Sequence, residues 1–268
     1  MSAIDQMFAQ LRREGRKTLI PFLSAADPDL DFTTELLRRL PEAGIRLCEV
    51  GIPYSDPIAD GPVIQDSYTR ALERGITVRE ILEAIHRVVA ETPVAPITMV
   101  SYAIVYRHGL QAYVQEAKQA GVAGLIVPDL PLEESSPLAE VCRQQDLSLI
   151  QLITPITPKE RAKRIAQQTT GFIYYVSVVG ITGERTQLPP EVVDNVAWLR
   201  EQTDLPICVG FGVSRPEHVR MLAPVADGVI VGSALVRRIV DSKDQPRSKT
   251  IENLLSFLRQ LAEALEIK

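Results

Sequence analysis

The chain has no long basic run, no long apolar run and little cysteine. Its 29 Lys and Arg against 34 Asp and Glu leave a formal net charge of −5, and no cationic run exceeds the pairs Arg12-Arg13, Arg38-Arg39 and Arg237-Arg238. So weak a basic footprint predicts neither nucleic acid nor an anionic membrane as a partner. No apolar stretch nears the roughly 18 to 20 residues that span a bilayer. The N-terminal segment lacks an apolar h-region and carries Asp5 and Glu14, so no secretory or transit segment is indicated and the cytoplasm is the expected compartment. The cysteines, Cys48, Cys142 and Cys208, are odd in number and far apart, as reduced core residues would be. His86, His108 and His218 show no HExxH or Cys/His ligand spacing, and no protein-bound metal is expected.

What is present is enough apolar material, 46% of 268 residues, for one large globular domain spanning 1–268. Short runs rich in β-branched residues, at 18–23, 47–51, 97–101, 124–127, 149–153, 172–176, 207–210 and 228–231, alternate with segments of helical periodicity. The helical segments lie near 31–43, 62–91, 108–120, 133–145, 158–168, 189–201, 215–223, 234–240 and 250–265. Such alternation predicts an α/β fold, a (β/α)8 TIM barrel, with an extra N-terminal helix near 2–13 covering the barrel bottom. A doubly wound dinucleotide fold fits less well, because the turn after the first strand reads Ser24-Ala25-Ala26-Asp27-Pro28 and lacks the Gly-rich fingerprint.

In a barrel the chemistry sits at the C-terminal ends of the strands. The second strand, Leu47-Cys48-Glu49-Val50-Gly51, carries one acid in an apolar run. Period-two alternation puts Leu47, Glu49 and Gly51 on one face, toward the axis, and Cys48 and Val50 on the other. Desolvation there raises a carboxyl pKa and suits it to exchange a proton near neutrality. The alternative is a structural Glu paired with a buried base, although no other strand end offers Lys or Arg. The loop Ile52-Pro53-Tyr54-Ser55-Asp56-Pro57-Ile58-Ala59-Asp60-Gly61-Pro62 adds Asp56 and Asp60 at the mouth. Both suit turns, and Asp60 gains a chemical reading from its combination with Glu49, since two carboxyls in different environments divide acid and base duties.

The last three βα loops supply glycines: Gly180-Ile181-Thr182-Gly183, Gly210-Phe211-Gly212-Val213 and Gly232-Ser233. Glycine is common in such turns, but on consecutive strands, with a helix start behind them, these loops form the phosphate cradle typical of the fold. No Lys ends a strand, which argues against Schiff-base chemistry, and no His cluster points to metal-assisted enolate chemistry. Residue types alone thus lead to carboxylate acid/base catalysis on a small phosphorylated molecule.

The run from Leu47 to Gln65, continued by Pro128-Asp129-Leu130-Pro131, Tyr174, Gly180-Ile181-Thr182-Gly183, Gly210-Phe211-Gly212-Val213 and Gly232-Ser233-Ala234, closely resembles the signature of the tryptophan synthase alpha chain family over nearly the whole chain. The resemblance implies a lyase of tryptophan biosynthesis that cleaves indole-3-glycerol phosphate to indole and glyceraldehyde 3-phosphate. It implies that Glu49 protonates the indole C3 and helps remove the side-chain hydroxyl proton, and that Asp60 stabilises positive charge at the indole N–H. It further implies that Tyr174 lies beside Glu49, that Phe22, Val100, Tyr102, Thr182 and Phe211 contact the substrate, and that Gly183, Gly212, Gly232 and Ser233 surround the phosphate. A β chain carrying pyridoxal phosphate is the implied partner, in an α2β2 heterotetramer, through the loops around 53–60 and 129–131; this chain itself would hold no cofactor. The sixth loop reads Ser177-Val178-Val179-Gly180, whereas some family members carry an arginine near this point, so Val178 is a departure from the family. A free-standing indole-glycerol phosphate lyase and a catalytically idle allosteric partner of the β chain are the rival readings.

Overall fold

The computed structural model describes residues 1–58, 60–177, 189, 191–210 and 212–266. Its strands are β1 (Thr18–Ser24), β2 (Leu47–Gly51), β3 (Ala95–Met99), β4 (Gly124–Ile126), β5 (Ser148–Ile150), β6 (Leu152–Ile153), β7 (Ile173–Val176), β8 (Ile207–Gly210) and β9 (Gly228–Val231). They form one sheet in the order β5-β4-β3-β2-β1-β9-β8-β7-β6, parallel at every pairing. The two outermost members, β5 and β6, are separated only by Gln151. They are two pieces of one interrupted strand, so the sheet returns on itself as the (β/α)8 barrel that the sequence predicts.

Alternation along each strand sorts side chains into two layers. Ile20, Leu47, Ile97, Ile126, Ile150, Tyr174, Cys208 and Ile230 fill the interior, whereas Cys48, Val50, Leu125, Leu149 and Val209 pack outward beneath the helices. Two glycines make room inside: a Cβ on Gly124 would lie 2.8 Å from Ile150 Cδ1, and one on Gly228 would lie 2.7 Å from Cys208 Sγ. All three cysteines are buried and free.

The N-terminal helix Ala3–Arg13 closes the bottom as expected. Ser2 and Asp5 form its capping box, and the Ser148 hydroxyl donates to Ser2 Oγ at 2.8 Å. Ile4 and Phe8 enter the inner core, with Phe8 5.8 Å from Phe172 between ring centroids. Ile4→Ala removes a plug that no neighbour replaces and should destabilise the fold by about 2–5 kcal/mol in urea unfolding.

Two helical segments differ from the prediction. The stretch 62–91 is two helices, Pro62–Glu73 and Val78–Glu91. Gly75 turns left-handed at φ 73°, and Thr77 caps the second helix by exchanging hydrogen bonds with Glu80. The stretch 108–120 begins earlier, as a short helix Tyr102–His108, and resumes at Leu110–Gln119 after Gly109 at φ 93°.

Candidate active site

β2 places Glu49 on the barrel axis with no exposed surface. In register with it stand Phe22 on β1 and Ile97 on β3. Among the described residues, neither carboxyl oxygen has a hydrogen-bond partner. With no cation beside it to offset desolvation, burial pushes the Glu49 pKa well above the usual carboxylate value. The alternative of a structural Glu paired to a buried base is thereby removed, and desolvation favours the protonated form of a side chain that faces the interior.

Asp60 precedes helix Pro62–Glu73, whose cap residue Gly61 and leading Pro62 start it without a side-chain cap. The Gln65 amide donates to the Asp60 carbonyl at 2.7 Å and to the Pro57 carbonyl at 3.2 Å, pinning the loop onto the first helical turn. Asp60 is half-buried, and that burial raises its pKa to about 6. The hydroxyls of Tyr68 and Tyr174 are shifted up first by burial and then by the charges of both Glu49 and Asp60, so the four groups share one electrostatic neighbourhood. One acid is fully desolvated and the other still ionises near neutrality, the division that acid/base chemistry needs.

Phe22, Ile64, Tyr68 and Val236 form a small apolar cluster, with Tyr54, Val63 and Met99 against it. Tyr68 is a site residue that sequence reasoning missed; its signal was the buried helical spacing Ile64, Ser67, Tyr68, Ala71. Its hydroxyl occupies the space a side chain on Gly51 would need, and a Cβ there would also lie 2.6 Å from Phe22 Cζ. Gly51→Ala should therefore displace Phe22 and Tyr68, costing about 1–3 kcal/mol of stability, measured by denaturant unfolding, and lowering turnover. Across the barrel, a Cβ on Gly210 would meet the Tyr174 hydroxyl at 2.5 Å.

Gly212 adopts φ 75°, a backbone that favours glycine, and Gly232 caps helix Ser233–Asp241 with Ser233 at its first position. Gly232 also adjoins Phe22, since a Cβ on it would lie 3.6 Å from Phe22 Cβ. The first turn of that helix and the aromatic wall are thus neighbours. Tyr102, expected in the substrate pocket, opens the short helix after β3; its backbone N–H donates to Asp129 at 2.8 Å, and the Ser101 hydroxyl donates to the same carboxylate at 2.7 Å. Val100, expected in the same pocket, directly follows β3, is buried and belongs to the large core cluster. Thr182, Gly183 and Phe211, with Val178, Gly180 and Ile181, lie outside the described residues. Among the described residues no group of three or more His, Cys, Asp or Glu is placed to hold a metal ion.

The sequence profile described as "Tryptophan synthase alpha chain" matches residues 8–266. The chain belongs to the tryptophan synthase alpha chain family. Members of that family are lyases that cleave indole-3-glycerol phosphate. A tryptophan synthase alpha chain from Rhodopirellula baltica is 52% identical over 251 residues, 92% of this chain and 90% of the relative. One from Synechocystis is 45% identical over 267 residues, covering 99% of this chain and all of the relative. Among solved structures, the tryptophan synthase alpha chain of Legionella pneumophila superposes with a TM-score of 0.88 at 32% identity, over 99% of this chain and 97% of that one. A chain of Mycobacterium tuberculosis tryptophan synthase gives 0.88 at 31% identity over 100% and 99%.

Proposed function

We propose that this chain acts as a tryptophan synthase alpha subunit, one barrel domain that cleaves indole-3-glycerol phosphate to indole and glyceraldehyde 3-phosphate by proton transfer from Glu49. The observation that carries the reading is the Glu49 carboxyl, buried, without a hydrogen-bond partner among the described residues and with its protonated form favoured by desolvation. Protonation of the indole C3 by Glu49 converts the ring into a cationic leaving group. The resulting carboxylate takes the proton of the side-chain hydroxyl as the carbon–carbon bond breaks, and the bonding electrons return to the ring. Glu49 thus ends the cycle protonated. Asp60, ionised above about pH 6, stabilises the positive charge at the indole N–H.

Phe22 and Tyr174 supply the walls nearest Glu49, and Tyr102, Thr182 and Phe211 are further substrate contacts. Gly183, Gly212, Gly232 and Ser233 hold the phosphate, and the N-terminus of helix Ser233–Asp241 supports that reading because its dipole attracts an anion. The chain carries no cofactor of its own. It works in the cytoplasm, a reading supported by the lack, among the described residues, of any helix long and apolar enough to cross a membrane.

The partner is a β chain that holds pyridoxal phosphate and consumes the indole, assembled as an α2β2 heterotetramer. Exposed apolar side chains support docking at the face bearing the loops around 53–60 and 129–131: Ile58 is 85% exposed, Tyr106 70% and Ile156 71%. Turnover of indole-3-glycerol phosphate with and without a β chain tests chemistry and partnership together. Glyceraldehyde 3-phosphate release by the isolated chain, increased when the β chain binds, is the expected result. An inert isolated chain that still stimulates a partner would contradict the proposed catalysis, and high activity with no complex would contradict the partnership.

A further inference from the structure

A second cavity lies away from the barrel mouth, between the turn after β1, the C-terminal ends of helices Pro62–Glu73 and Ser233–Asp241, and the start of helix Arg247–Glu263. It encloses about 470 Å³. Phe32, Ile239 and Val240 supply apolar wall, while Arg70, Arg74, Lys243 and Arg247 bring four positive charges against the two carboxylates of Asp27 and Asp29. Both carboxylates are already engaged. Arg70 holds Asp27 in a fork of 2.9 and 2.7 Å, and Arg247 holds Asp29 at 2.8 Å. Arg74 reaches only the Ala26 carbonyl, at 3.4 Å, and no side-chain ion pair or hydrogen bond engages Lys243 among the described residues. Two cations therefore border an apolar hollow with no lining carboxylate left to neutralise them.

We propose that this cavity binds a small amphipathic organic anion, a carboxylate or phosphate monoester on an apolar body. The anionic head lies between the Arg74 guanidinium and the Lys243 ammonium, where a charge-assisted hydrogen bond is stronger than one between neutral groups. The apolar body rests on Phe32, Ile239 and Val240. The volume falls in the range of small-molecule sites, and a few converging polar groups over an apolar wall are the usual make-up of such a site. Helices Pro62–Glu73 and Ser233–Asp241 begin at the barrel mouth and end at this cavity, so they separate the two places by about 18 and 13 Å at 1.5 Å per residue. Occupancy of one does not block the other.

The full chain is titrated with phenylacetate and with phenyl phosphate at low salt, following the methyl NMR signals of Ile239 and Val240. Saturable shifts that weaken as salt rises are expected, with about tenfold or greater loss of affinity in R74E/K243E and in R74A/K243A. Cleavage of indole-3-glycerol phosphate by both variants stays unchanged, showing that they fold. The tighter of the two probes identifies the preferred head group. Equal affinity in the variants, equal binding of neutral phenylacetamide, shifts confined to the amides of Gly232 and Ser233, or no binding of either probe would overturn the proposal.

Discussion

Glu49→Gln leaves the barrel folded and lowers indole-3-glycerol phosphate cleavage by roughly 10²–10⁴-fold, the usual worth of a positioned general acid or base. The amide keeps the size of the side chain but cannot deliver a proton to carbon or accept one from the hydroxyl. The same carboxyl also affects stability, because the folded protein holds its proton more tightly than the unfolded chain does. Its contribution is fully present below the unfolded carboxylate pKa and is lost as pH rises toward the raised folded value. Glu49→Met removes a buried polar group that has no hydrogen-bond partner. The Met variant is expected to be more stable than the parent at pH 8 by roughly 1–3 kcal/mol, with the gap narrowing toward pH 4 in denaturant titrations. Identical pH profiles for the two proteins would contradict a desolvated carboxyl.

Asp60→Asn has the second largest expected effect, a fall of about 10²–10³-fold in kcat, comparable to losing one preorganised electrostatic contact to the transition state. Asp60 must be ionised to stabilise a cation, and its pKa is raised to about 6. In the parent protein kcat/KM therefore rises with pH through about 6 and falls at higher pH as Glu49 loses its proton. The acid limb disappears in the Asn variant, while the basic limb stays. A variant that kept the limb near pH 6 would show that another group titrates there.

The barrel was legible in the sequence because its strands are short apolar runs separated by periodic segments, and β2 was legible residue by residue. One acid among Leu47, Cys48, Val50 and Gly51 leaves only one alternation that buries the apolar pair beneath the helices. The break at Gly75 and Thr77 was less visible, since apolar periodicity continues across it and only the Thr77-x-x-Glu80 capping box marks the restart. Helix Tyr102–His108 depends on a tertiary contact, Ser101 and Tyr102 with Asp129, that no local pattern announces. Strand β3 runs from Ala95 to Met99, two residues earlier than the predicted 97–101. Val100 therefore falls just beyond its end. Tyr68 went unseen for a similar reason: its relevance comes from reaching over Gly51, across elements that only the folded chain brings together.

The central claim is a proton held on a carboxyl inside the barrel, and the most direct test is a pH titration of the Glu49 side-chain carbon by NMR, assigned with Glu49→Gln. The carboxyl is expected to remain protonated well above the usual carboxylate range, with Asp60 titrating separately near pH 6. A Glu49 signal that ionises at the ordinary glutamate value would contradict the desolvated acid and the mechanism built on it.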